Sequence, residues 1–159
     1  MFYSEKGNPW DFDTVYKLNS CKIEYKHIYN FVKEGPVIGQ IYVNDILVSC
    51  PTKYDGFGGP PLITQDTIYA HIYQKNILGF KDIMGAYVAE INIRNLSVKV
   101  IGKKQELIDI AYIENDMLYY FDSSEKNKNN IKYFKISDGI KPFTFWDKLL
   151  YLYDFIKNA

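Results

Sequence analysis

The chain reads as a mainly β protein, α+β in class: an antiparallel β-meander folded into a sandwich, a strongly bent sheet or a partial barrel, with a C-terminal amphipathic helix packed on it. Three observations predict this. Short runs rich in Ile, Val and Tyr recur along the chain, pairs of turn-forming residues separate them, and only the last stretch changes to a helical period. At 159 residues the chain has the usual size of one domain, and folding buries roughly two-thirds of the surface exposed when unfolded. A single domain over residues 1–159 is expected.

The first clear strand runs from Cys21 to Phe31, where Ile23, Tyr25, His27, Tyr29 and Phe31 alternate with Glu24, Lys26 and Asn30. That period of two is the signature of a half-buried strand. Gly35 and Pro36 break the chain before GQIYVNDILVSC, in which Asn44-Asp45 separates two β-branched runs as a two-residue hairpin turn does. The layout returns in AEINIRNLSVKVIG, with Arg94-Asn95 at the turn, and in AYIENDMLYYFD, with Asn115-Asp116 at the turn. TIYAHIYQ adds a strand between the first hairpin and the second, and NIKYFKIS adds one after the polar loop SSEKNKNN. In TIYAHIYQ, Ile68, Ala70 and Ile72 read as core, and Tyr69, His71 and Tyr73 as an ordinary outward surface open to a groove or interface.

The period changes in TFWDKLLYLYDFIKNA. Phe145, Leu149, Leu152 and Ile156 recur at helical spacing, Trp146, Leu150 and Tyr153 widen the apolar face, and Thr144 and Asp147 have capping-box spacing. The expected role of this helix is to cover an open face of the sheet, because an uncovered apolar face leaves a large exposed patch, and the alternative is a docking surface for a partner.

Composition excludes several classes. Hydrophobic residues at 47% and charged residues at 24% are globular averages, so neither disorder nor a fibrous repeat is indicated. Lys plus Arg equals Asp plus Glu at 19 each, which provides no overall positive field for a phosphate backbone, and no direct nucleic-acid partner is expected. The start, MFYSEKGNPWDFD, has neither a basic nor an apolar leader region, and no later run approaches the roughly 20 apolar residues a bilayer span needs. A cytoplasmic protein with no membrane association is the expectation.

No cofactor or metal is expected. Cys21 and Cys50 are too far apart for a CxxC site and read as core thiols, no HxH, HExxH or DxDxDG pattern occurs, and Asp11 and Asp13 read as exposed turn residues. The stretch KYDGFGGPPLITQD, residues 53–66, has neither Walker nor dinucleotide-loop spacing, and Pro60 and Pro61 have no amide to offer a phosphate. It reads instead as a stiffened loop displaying Tyr54, Asp55 and Phe57 to a partner.

With 15 Tyr and 10 Phe, aromatic side chains suit both strands and interfaces. With no catalytic, cofactor or metal motif, the chain reads by elimination as a binding protein and not an enzyme. The small, Tyr- and Ile-rich meander, with segments such as GAYVAEINIRNLSVKVIG and IENDMLYYF, resembles bacterial immunity proteins of contact-dependent growth inhibition and related polymorphic toxin systems. The likeness is general and spreads over residues 37–136. It implies a one-to-one complex with a cognate toxin domain, often a nuclease, whose active site the immunity protein covers.

The expected contacts are Tyr54, Phe57, Tyr69, His71 and Tyr73 as aromatic or adaptable anchors, and Asp55, Glu114, Asp116 and Asp122 as an acidic face for a basic partner. Two alternatives stand beside this one. A small-ligand or carbohydrate-binding β-domain would use exposed aromatics as stacking platforms, and a two-histidine RNase would need His27 and His71 to converge.

Overall fold

The computed structural model describes residues 2–3, 14–18, 20–30, 37–74, 85–105, 108–122, 131–141 and 144–158. Asp11, Asp13, Phe31, Gly35, Pro36 and the side chain of Asp122 lie outside the described residues. The strands are β1 (Phe2–Tyr3), β2 (Thr14–Leu18), β3 (Cys21–Asn30), β4 (Val37–Val43), β5 (Ile46–Leu47), β6 (Tyr54–Ile63), β7 (Thr67–Gln74), β8 (Gly85–Asn92), β9 (Val98–Gln105), β10 (Ile108–Glu114), β11 (Met117–Asp122) and β12 (Ile131–Lys135). A short 3-10 turn, Ile136–Asp138, follows β12, and Phe145–Asn158 form α1.

The protein is mainly β and its strand pairing is antiparallel. The larger sheet has the order β2-β3-β4-β6-β7-β8-β9, with β5 paired to β4, and the smaller has the order β1-β10-β11-β12. Two of the expected hairpin turns form as predicted. Asn44 and Asp45 have φ of 49° and 64°, and Asn115 and Asp116 have 49° and 65°, the left-handed pair that a two-residue hairpin turn requires and that Asn and Asp tolerate. The connection expected at Arg94-Asn95 is longer. β8 stops at Asn92, whose side-chain Oδ1 accepts from the backbone N–H groups of Arg94 (2.9 Å) and Asn95 (3.1 Å), so residues 93–97 form an Asn-capped loop.

Register places Ile23, Tyr25, Ile41, Val43, Phe57, Ile68, Ala70, Ile72, Tyr87, Ala89 and Ile91 on one face of the larger sheet, where they form one buried cluster. This cluster runs from β3 to β8 within a single sheet. β2 and β9 are the separate ends of this sheet, and no barrel closes among the described strands.

The opposite face is divided. Under β6–β9 the smaller sheet packs onto it, and Leu62, Tyr69, Val88 and Ile101 meet Ile110, Leu118, Tyr120, Phe134 and Ile136 in a second core. At β3–β4 the same face is solvated and charged: Lys22 pairs with Asp45 (2.8 Å) and Glu24 (3.2 Å), and Lys26 lies 4.6 Å above the Tyr42 ring. Where the sheets join, the backbone at Gly102 accepts from Lys141 N–H and donates to Gly139 O, both at 3.0 Å, so residues 139–141 run along the outer edge of β9.

The side chains expected to pack the terminal helix onto a sheet do not do so, apart from Leu152, which is half-buried. On α1, Phe145, Trp146, Leu149, Leu150, Tyr153 and Ile156 are all exposed. Both cores are buried while these six side chains stay exposed, so this face of the helix covers neither core.

Candidate functional site

The residues expected to form a surface mostly do not. Residues 54–63 are not a display loop but β6, a strand between β4 and β7. Phe57 is buried in the core on one face of the larger sheet, Tyr54 is half-buried with its ring edge-on to Tyr87 at 6.2 Å, and Asp55 is half-buried. Glycine and proline ordinarily argue against a strand interior. Here the pairing register slips between Gly58 and Leu62, and this bulge accommodates Pro60 and Pro61 without costing the sheet its continuity.

Tyr69, His71 and Tyr73 are buried as well: Tyr69 lies in the core beneath the smaller sheet, and Tyr73 packs in a small separate cluster with Ile38 and Ala86. Burial pushes the Tyr69 hydroxyl up to about 12, with the Glu90 carboxylate adding to the effect. It also raises Tyr73, and it holds the His71 imidazole neutral by lowering it to about 4. The His71 ring stands edge-on to Tyr73 at 6.4 Å, and its Nε2 meets no hydrogen-bond partner among the described residues. His27 is exposed, and the pairings His27↔Gly39, Gly39↔Phe57 and Phe57↔Ile72 put it on the face opposite His71. The two histidines do not converge.

Of the acidic residues, Glu114 and Asp116 are exposed at the β10–β11 turn. Asp116 accepts a 2.6 Å hydrogen bond from the Ser137 hydroxyl, which fixes the turn against the segment after β12.

These two carboxylates border a surface that the sequence reading overlooked. Across the smaller sheet the register runs Tyr112↔Tyr119 and Tyr119↔Tyr133, a row of tyrosines spanning β10, β11 and β12. The inward residues Ile110, Leu118, Tyr120 and Phe134 occupy the core, so this row belongs to the outer face. Tyr112 and Tyr119 stack with centroids 4.4 Å apart and planes 18° apart, Tyr119 and Tyr133 follow at 5.8 Å, and Tyr133 is 63% exposed. Phe121 and Ile131 lie on one side of the row, and Glu114, Met117 and Lys135 on the other. The alternation Met117, Tyr119, Phe121 against Leu118 and Tyr120 carries this division in the sequence, but both sets are apolar, and nothing local says which faces out.

Comparison with protein-family models, with curated proteins and with solved structures finds no match. The site's chemistry therefore rests on its own geometry. Among the described residues no group of His, Cys, Asp and Glu side chains has the arrangement of a metal site, and no helix is long and apolar enough to cross a membrane.

Proposed function

We propose that this chain binds a protein partner through the outer face of the smaller sheet and, following the resemblance set out above, that the partner is a toxin domain whose active site it covers. The observation that carries this reading is the row Tyr112, Tyr119 and Tyr133 beside the exposed carboxylates Glu114 and Asp116. Tyrosines supply large contact area at low entropic cost and are enriched among residues that dominate binding energy. A stable complex needs roughly 800 Å² from each partner, and the hairpin carboxylates supply local negative charge on a chain that is neutral overall.

The stacked geometry favours a protein over a sugar. A carbohydrate platform needs a ring face open to the ligand, whereas Tyr112 and Tyr119 turn their faces to one another. The test is calorimetric titration with the product of the gene immediately upstream, carrying an inactivating substitution if it is toxic. One-to-one binding weakened by Tyr119→Ala or Tyr133→Ala is expected. A folded product that does not bind sinks the immunity reading, and binding indifferent to both substitutions removes the site.

A further inference from the structure

The smaller sheet ends at β12, and its hydrogen-bond phase shows which main-chain groups face outward. Ile136 N–H donates to Asp116 O at 2.9 Å, and in an antiparallel ladder bonded and non-bonded pairs alternate. Starting from that bond, Phe134 and Lys132 are the next β12 residues whose backbone groups turn to β11, opposite Leu118 and Tyr120. Ile131, Tyr133 and Lys135 therefore turn their N–H and C=O groups away from β11, and no other strand pairs with them among the described residues. The adjoining edge at β9 is treated differently, since there residues 139–141 bond to Gly102.

Side chains mark the same edge. Ile131, Tyr133 and Lys135, which turn their backbone outward, are also the β12 residues on the outer face. The tyrosine row thus ends at Tyr133 with one flank beside Tyr119 and the other unmatched. Lys135, exposed on the outer face at the end of the strand, favours a partner strand that carries a carboxylate.

From this we infer that β12 is an acceptor edge. An extended segment of the partner pairs with the main-chain groups of Ile131, Tyr133 and Lys135, sets an aromatic or aliphatic side chain beside Tyr133, and brings a carboxylate to Lys135. This deepens the reading of the outer face given above and rests on it. Main-chain pairing supplies affinity, and the alternate side chains supply selectivity.

The test uses a random 12-residue peptide library displayed on phage and selected on the whole chain, followed by amide hydrogen exchange with the synthesised winners. Selected peptides are expected to alternate apolar and polar residues and to carry Asp or Glu. Bound peptide should slow exchange at Ile131, Tyr133 and Lys135 at least tenfold while leaving Lys132 and Phe134, already bonded to β11, little changed. Tyr133→Pro removes an outward amide and should weaken binding at least tenfold more than Tyr133→Ala, which keeps it. A selection without binders, or binders that leave the odd-numbered amides exchanging freely, overturns the acceptor edge. Titration with the upstream gene product in parallel separates the two ideas, since binding that depends on Tyr119 without protecting those amides keeps the outer face and discards strand addition.

Discussion

Gly59 lies directly against the imidazole of His71, with φ of 70°, so the bulge in β6 and the buried histidine of β7 occupy one another's space. A side chain at position 59 meets two penalties, the left-handed backbone and overlap with the ring. Each costs about 1–3 kcal/mol. Gly139 has nearly the same φ, 69°, but a Cβ there meets nothing within 4 Å. Gly59→Ala is expected to lower the urea-unfolding free energy by about 3 kcal/mol and Gly139→Ala by about 1 kcal/mol. Equal losses would show that the His71 contact contributes nothing.

His71 sets a dependence on acidity. Burial depresses its pKa from 6.5 to about 4, so between those values the unfolded chain binds the proton that the folded chain refuses. Stability is therefore whole above pH 6.5 and is lost as pH falls toward 4, with about 2 kcal/mol gone from this group at pH 5. Urea titrations at pH 7 and pH 5 measure the loss. His71→Leu removes the ionisation and also the unpartnered Nε2, and its fall between the two pH values should be smaller by that amount.

Phe57 distinguishes a core strand from a displayed loop. The ring is 1% exposed within the core of the larger sheet, and Phe57→Ala should cost about 3–5 kcal/mol and leave the chain largely unfolded or aggregating. Circular dichroism and thermal melts report it. A folded variant with an unchanged melt would return residues 54–63 to the surface.

Tyr133 should behave in the opposite way. Because its ring is 63% exposed, Tyr133→Ala should change folding stability by under about 1 kcal/mol, whereas the complex with the upstream product should weaken by about 2 kcal/mol. Calorimetry and melts on the same protein read both quantities. A variant that loses stability but not affinity would make the row a structural ladder alone.

What the sequence disclosed and what it concealed divide along a physical line. Thr67–Gln74 and the turns at Asn44-Asp45 and Asn115-Asp116 were legible because strand period and positive φ are local properties. Ile68, Ala70 and Ile72 were legible as core for the same reason. Tyr69, His71 and Tyr73 were not, since whether the second face of a strand is covered depends on a distant sheet. Tyr119 and Tyr133 escaped notice by the same logic reversed: their aromatic character suggests burial, and only the register across β11 and β12 puts them outside. The segment 54–63 misled because its composition speaks for a loop, while a bulge lets a strand absorb it.

The pairing of Phe2–Tyr3 with Tyr112–Ile113 also orders events in time. Every strand of the larger sheet lies between these partners along the chain, so that sheet is able to assemble while the first residues wait for β10. Closing so long a loop is costly in entropy and is repaid only once the intervening chain is compact. β1 should thus join β10 late in folding, after the larger sheet is in place.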